Sequence, residues 1–384
     1  MSEADAALAA WLAPQERADS LRTLAASHGS RFCDLAYANP HGVPEPVRAA
    51  LASALGASRR LDFQYTPYGG ATIARRHAAR DLTASHGLAF GWRNLVLTPG
   101  AMAALQVAFR SVLRAAGDEV VVVTPCWIDV PLYLAHLGLR PVLVPVRSED
   151  LHLDLPAIEK ALGPRTRALV LAQPANPSGV LYGAGELAAL AELLARRPEP
   201  PVLISDECHR DFCSGERGFV SPVAVYDDTL VVYSFGKRWS IQGQRIGYVA
   251  VSPRCPDAAE RVQRLERLCR VQGFATPTAL MQLALPALLE VPADTAALLP
   301  RRTRSVARLR DAGYELAAPD ATFFLYPRTP YGDDFRFAES LAGEGVLVLP
   351  APVFHHAGHF RISLTTPDDV LDRALDVLAA RREP

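Results

Sequence analysis

Only two of the 40 lysines and arginines in this chain are lysines, Lys160 and Lys237. Lys237 follows an apolar run with β character, Thr229 to Tyr233, which ends in Ser234 and, two residues on, Gly236. Arg245 comes eight residues after the lysine and leads into a second such run, Ile246 to Val251. Arginine stays charged, whereas a desolvated lysine can lose its proton and act as an amine nucleophile. A chain that uses arginine almost everywhere and keeps one lysine between two buried strands points to amine chemistry. A surface lysine in a connecting loop is the competing reading, and spacing alone does not separate the two.

Other polar residues stand at the ends of apolar runs. Asp206 closes Val202-Leu203-Ile204, where a carboxylate needs a cationic partner or solvent. Arg361 lies inside the apolar segment Phe360 to Ser363. A partly buried guanidinium there favours a bidentate anion, with a salt bridge at a sheet edge as the alternative. In Thr98-Pro99-Gly100-Ala101-Met102, small residues let the backbone approach a phosphate at a helix N-terminus. Asn176, in Ala175-Asn176-Pro177-Ser178-Gly179, reads by itself as a β-turn residue. Trp127, after Thr124-Pro125-Cys126, reads as a core aromatic, and Tyr65 as a loop tyrosine.

The elements that must position these residues follow from the hydrophobic pattern. Between residues 94 and about 252, apolar runs of four to six residues alternate with helical segments. The expected strands are 95–98, 120–124, 141–145, 168–171 and 201–205, with the two runs that flank the lysine. Solid Val- and Leu-rich runs suit strands buried on both faces, hence an α/β fold with a mostly parallel sheet. In such sheets ligands gather at the C-terminal ends of the strands, where the polar residues named above stand. Before the sheet, residues 1 to about 30 read as an amphipathic helix, with Leu8, Trp11 and Leu12 on one face and Leu21 and Leu24 further on. Asn39-Pro40-His41-Gly42 reads as a turn. After the sheet come a charged helix over 257–272 and a long helical stretch from 276 to about 310. Strands are expected at 314–316, 322–326, 346–349 and 360–363, and a closing helix at 367–381, together a small α+β unit.

A length of 384 residues suits one large and one small domain, and 49% hydrophobic residues suffice for a sizeable core. A net charge of −1 carries no footprint for nucleic acid or an anionic membrane, and no apolar run approaches the length of a membrane span. The acidic N-terminal stretch does not read as an export signal, so a cytoplasmic protein is expected. The six cysteines include no Cys-x-x-Cys pair, and Cys208 and Cys213 near His209 match no structural zinc spacing. Free thiols and no metal site are expected. No Gly-x-Gly-x-x-Gly follows a strand, which argues against a nicotinamide dinucleotide.

Ser234-x-x-Lys237 followed by Gly243-x-Arg245-Ile246-Gly247-Tyr248 resembles the lysine segment of fold-type I pyridoxal-phosphate (PLP) enzymes, closest to the class I/II aminotransferases. The likeness extends over roughly residues 32 to 380. It implies a fold-type I PLP-transferase with a large α/β domain around a mostly parallel central sheet (46–275) and a smaller α+β domain (276–384). Residues 1–45 would form an N-terminal segment that joins the small domain. It further implies that Lys237 forms the Schiff base with PLP and acts as general base, while Asp206 pairs with the ring nitrogen. Asn176 would bond the ring hydroxyl, beside His209, which stands where the family usually has a tyrosine. Trp127 would stack on the ring, and Gly100, Ala101, Met102, Ser234 and Arg245 would hold the phosphate. Tyr65 would reach the phosphate of a neighbouring subunit, which makes the protein a homodimer with shared active sites. Arg361, with Asn176 beside it, would take the substrate α-carboxylate. The reaction implied is transfer of an amino group between an α-amino acid and a keto acid. Asp206-Glu207-Cys208-His209-Arg210-Asp211 also resembles the C–S β-lyases of the same fold. Elimination, cyclisation or oxidation of an amino acid therefore stands as the alternative. Tyr37, Tyr68, His209, Phe324, Phe354 and His355 are candidate specificity contacts.

Overall fold

Seven strands form the sheet around which the computed structural model is built. It describes residues 3–39, 41–214, 218–273 and 276–381. In spatial order the strands are Leu95–Thr98, Gly247–Val251, Thr229–Ser234, Val202–Asp206, Thr166–Ala172, Glu119–Thr124 and Arg140–Pro145. All pairings are parallel except the two made by Gly247–Val251, which runs antiparallel to both neighbours. Side chains alternate across each strand, so both faces are apolar. Ile204, Val232 and Val249 pack with the helices Gly100–Val112 and Ala258–Val271 on one face. Leu97, Val231 and Tyr248 pack with the helices Thr72–His86 and Ala279–Leu289 on the other. The Ala258–Val271 helix shows why such segments form: Val262, Leu265 and Cys269 recur at helical spacing and are buried beneath a charged outer face. Thr72–His86 stops at Gly87, whose φ of 67° is left-handed and whose N–H returns to the Thr83 carbonyl.

A second, antiparallel sheet joins Leu349–Pro350, Phe360–Ser363 and Phe324–Leu325. Near it, Cys33–Asp34 pairs in parallel with Val346–Leu347, so an early strand is completed by a late one. The first helix, Glu3–Ala26, buries Ala18, Leu21 and Ala25. Leu24, expected on that face, is 38% exposed, so the inner stripe runs through Ala25 instead.

Four expectations about the C-terminal part change. The single strand expected at 346–349 is divided at Val348 between two sheets, Val346–Leu347 beside Cys33–Asp34 and Leu349–Pro350 beside Phe360–Ser363. The helical stretch after residue 276 is two helices, Ala279–Leu289 and Leu298–Asp311. Pro292 falls in the gap, where it cannot continue a helical ladder, and the neighbouring Val291 carbonyl accepts Trp239 Nε1–H at 3.0 Å. Residues 314–316 form no strand. Tyr314 is buried and donates its hydroxyl to the Leu378 carbonyl at 2.9 Å, so its apolar character serves packing on the last helix. The strand expected at 322–326 narrows to Phe324–Leu325. The expected boundary at residue 275 and the turn residue Pro40 lie outside the described residues.

Candidate active site

Val202–Asp206 and Thr229–Ser234 lie side by side, with Asp206 opposite Val232, so both chains leave the sheet at the same end. After Ser234 the chain turns into the single-turn helix Phe235–Arg238, which presents Lys237 to a cavity of about 200 Å³. Asp206, Cys208, Ser234, Gln242 and Arg245 line this cavity from the large sheet. Ala101, Met102, Trp127 and Asn176 line it from the strand-to-helix connections, and Tyr37, Ala38, Asn39, Phe324 and Arg361 from the N-terminal segment and second sheet.

One end of the cavity is built for an anion. Gly100, at φ +80°, starts the Gly100–Val112 helix, and a Cβ there would lie 2.6 Å from Arg245 Nη2. A Cβ on Gly247 would meet the Tyr233 carbonyl and lie 3.1 Å from Gly100 Cα. Glycine at both positions lets the arginine lie against the helix start. Arg245 Nη1 donates to the Gln242 carbonyl at 2.7 Å. The first amides of the helix, Arg245 and Ser234 therefore face one place, with the helix dipole adding positive potential.

Lys237 Nζ lies 2.8 Å from His209 Nε2. The imidazole sits among Phe212, Phe323 and Phe324, with ring centroids 6.4, 5.0 and 5.5 Å away. Burial, reinforced by the charges of Lys237 and Arg361, pushes the His209 pKa well below the usual histidine range. The ring is therefore neutral. Its Nε2 accepts from the lysine amine and its proton sits on Nδ1, which is buried without a partner. Asp206 accepts the Cys208 N–H through Oδ1 at 3.1 Å, and its carboxylate lines the cavity.

Arg361 is 1% exposed. Its Nη2 donates to the Ala36 carbonyl at 2.7 Å and its Nη1 to Asn176 Oδ1 at 3.3 Å. The guanidinium lies 4.0 Å from the Phe324 ring centre and 4.7 Å from that of Phe354. Its Nε has no partner, and no carboxylate pairs with it among the described residues. Burial without an anion pushes its pKa down to about 9. Trp127 Nε1 is likewise buried without a partner. Among the described residues no group of three or more His, Cys, Asp or Glu side chains could hold a metal ion.

Most of the residues singled out in the sequence thus meet at one place. Gly100 lies beneath Arg245 at the edge of the cavity, and His209 reaches Lys237 from behind the lining. Tyr65 does not join them; its side chain is fully exposed. Of the candidate specificity contacts, Tyr37 and Phe324 line the cavity and Phe354 backs Arg361. His355 Nε2 lies 3.0 Å from the Ile128 carbonyl, and Tyr68 packs under Arg270, 5.3 Å from ring centre to guanidinium. Sequence reasoning missed Gln242, Asn39 and Leu105, and treated Cys208 only as a thiol. Two of these were reachable by position, because Gln242 shares the Lys237–Arg245 connector and Cys208 is two residues past Asp206.

The model of the family described as aminotransferase class I and II matches residues 33–378, and the chain belongs to this family. It is a PLP-dependent aminotransferase, an enzyme that moves an amino group between an α-amino acid and a keto acid. A protein of Rhizobium leguminosarum bv. phaseoli named a probable aspartate/prephenate aminotransferase is 29% identical over 357 residues, covering 86% of each chain. A solved aminotransferase from Eubacterium rectale superimposes with a TM-score of 0.89 at 26% identity, covering 96% of this chain and 94% of its own. A single mutant of Thermus thermophilus aspartate aminotransferase superimposes with a TM-score of 0.86 at 28% identity, covering 99% of both chains. The residues present fit the cofactor. A glycine-floored anion cradle, a cavity-lining carboxylate and a partnerless indole N–H surround the lysine amine.

Proposed function

We propose that Lys237 carries the cofactor and the proton transfers of this aminotransferase, and that Asp206, Asn176, His209, Trp127 and the 100–102 turn hold the cofactor in place. When bound, PLP supplies the aldehyde that takes up the amino group and an electron-withdrawing ring. The Asp206 carboxylate would pair with the ring N–H and keep the ring protonated. Asn176 and His209 would hold the ring hydroxyl, and the amides of Gly100, Ala101 and Met102, with Ser234 and Arg245, would take the phosphate. Trp127 supplies an aromatic face. Arg361 binds the substrate α-carboxylate, and Phe324 and Phe354 keep water from that ion pair. Lys237 Nζ would take and hold the substrate α-proton, and His209 Nε2, 2.8 Å away, would accept a hydrogen bond from the lysine nitrogen whenever it bears a proton. The observation that carries this reading is Arg361: a guanidinium buried in the same cavity as the lysine, with hydrogen-bond acceptors around it and no anion.

A second copy of the chain supports the site in this reading. Leu61, Phe63, Tyr65, Tyr68 and Ile73 are between 44% and 105% exposed along one stretch of chain. Such a run of exposed apolar side chains suits a protein interface, with Tyr65 reaching the partner's phosphate. The six cysteines are free, which suits a cytoplasmic location. Relatives named for aspartate and prephenate make aspartate the first amino donor to test. His209 in place of tyrosine favours elimination as the second reading.

The test is the visible absorbance of the purified enzyme and of Lys237→Ala, followed by amino acids added one at a time. A cofactor band lost in the variant, and converted stoichiometrically to the amine form by an amino acid, supports the assignment. Release of ammonia without that conversion supports elimination. A wild-type protein that cannot be loaded with PLP refutes both.

A further inference from the structure

The two segments that carry the catalytic groups leave the sheet through one last ladder bond each, Glu207 N–H to the Val232 carbonyl at 2.8 Å and Phe235 N–H to the Ile246 carbonyl at 3.1 Å. Asp206 is paired through Val232, but residues 207–212 and 235–239 lie beyond the strand ends. Lys237 and His209 touch across this gap, yet that contact is between groups whose protons move during the reaction. A further tie between the two turns comes from elsewhere.

It comes from the Thr72–His86 helix. Asp81 on this helix accepts from Arg210 Nη2 through Oδ2 at 2.9 Å and from Arg238 Nη1 through Oδ1 at 2.8 Å. Arg210 is one residue after His209, and Arg238 is one residue after Lys237. One carboxylate therefore bridges both post-strand segments. The Arg210 and Arg238 side chains are only 2% and 14% exposed, and Asp81 is 13% exposed. Around the bridge, Arg210 Nη1 donates to the Tyr248 hydroxyl at 2.6 Å, and its guanidinium lies 3.8 Å from the Tyr233 ring centre. Tyr233 donates to Asp211 at 2.5 Å. One turn further along the helix, His86 Nε2 meets Glu207 Oε2 at 2.6 Å, and both side chains are fully buried. His86 Nδ1 faces the Leu82 carbonyl at 3.0 Å. The carboxylates of Asp81 and Asp211 thus face the guanidiniums of Arg210 and Arg238.

We propose that Asp81 is a positioning residue for the transamination site: through Arg210 and Arg238 it sets the separation of Asp206 and His209 from Lys237. The proposal rests on the assignment of Lys237 and Asp206 made above. Without the Asp81 charge, Arg238 keeps only Asp211, at 3.8 Å, and Arg210 only Glu207, at 3.9 Å, as ionic partners among the described residues. The lysine turn is then free to shift relative to Asp206. Misplacement of reacting groups by about 1 Å costs on the order of 100-fold in rate.

The experiment uses PLP-loaded enzyme and three variants: Asp81→Asn, Arg238→Lys and, as control, Asp118→Asn. Asp118 is a buried carboxylate paired with Arg167 at 3.0 Å, next to the first residue of the Glu119–Thr124 strand and so at the far end of the sheet from the cavity. The readouts are the pH midpoint of the absorbance of the lysine-bound cofactor, kcat and KM separately, and the denaturation midpoint. Asp81→Asn is expected to move the pH midpoint by about half a unit or more. It should lower kcat by roughly ten- to 100-fold with KM changed less than about threefold. Arg238→Lys, which keeps the charge and loses the fork, should fall between it and wild type. Asp118→Asn should lower only the denaturation midpoint. If Asp81→Asn loses stability like the control but keeps the wild-type pH midpoint and kcat, the proposal is overturned. If Asp81→Asn does not fold, Arg238→Lys decides on the same criteria. A wild type that shows no lysine-bound cofactor overturns the assignment of Lys237 and this inference with it.

Discussion

Arg361→Met should make the resting enzyme more stable and nearly inactive. Below a pH of about 9 the arginine is charged in both the folded and the unfolded chain. A folded-state pKa depressed from 12.5 to about 9 therefore weighs against folding across the whole neutral range. The shift corresponds to roughly 5 kcal/mol, at 1.36 kcal/mol per unit. Methionine has similar length and carries no charge to desolvate. The substitution orphans the Ala36 carbonyl and Asn176 Oδ1, which costs about 1–2 kcal/mol each. The balance is a gain of about 1–3 kcal/mol, read as a higher urea midpoint with an unchanged slope. Activity should move the other way, because removing one side of a buried carboxylate–guanidinium pair costs roughly 2–5 kcal/mol, or about 30- to several-thousand-fold in kcat/KM. The assay is urea unfolding of both proteins at pH 7.5, with kcat/KM for the best amino donor. An Arg361→Met protein less stable than wild type by more than about 1 kcal/mol would refute the reasoning, because it would mean that the folded protein already neutralises this cation.

Gly100→Ala forces a side chain into a left-handed backbone, at about 1–2 kcal/mol, and pushes against the Arg245 guanidinium. PLP affinity should fall at least about tenfold, measured by fluorescence titration, while the helix content stays as in wild type. His356 and His359 are both held near 4 by burial, from an ordinary 6.5. Each keeps its full contribution above pH 6.5 and loses it as pH falls toward 4, with about 2 kcal/mol gone per histidine at pH 5. The unfolding free energy of a His356→Gln/His359→Gln protein should therefore fall by about 4 kcal/mol less than that of wild type between pH 7.5 and pH 5; equal losses would show that the two rings are protonated in the fold.

Much of the site could be read before any coordinates because each main group breaks a local rule. A lysine in an arginine-rich chain, an acid at the tip of an apolar strand and an arginine inside another are each out of place where they stand, and the strand-end rule puts them together. The alternation of apolar runs was enough for the sheet, including its mostly parallel sense. What failed had a different cause. Tyr314 looked like strand because it is apolar and buried, but its partner is the Leu378 carbonyl of the last helix. Leu24 fitted the helical stripe, yet the alanines beside it approach the core more closely. Asp81 gave no signal, since an acid on a helix surface is ordinary and its two arginines lie 129 and 157 residues away. Charge networks assembled from distant segments leave no periodicity, and they are legible only once the chain is folded.

The antiparallel course of Gly247–Val251 has one more consequence. Because that strand returns beside Thr229–Ser234, with Ser234 opposite Gly247, residues 235–246 are a loop clamped at both ends by the same rung of the ladder. Lys237, Gln242 and Arg245 ride on that loop as one cassette. The two ends of the loop therefore stay in place while side chains such as Gln242 are exchanged in the cavity wall. The cassette is not self-sufficient: Arg238 within it leans on Asp81 of the Thr72–His86 helix, so a transplanted loop would need that carboxylate as well.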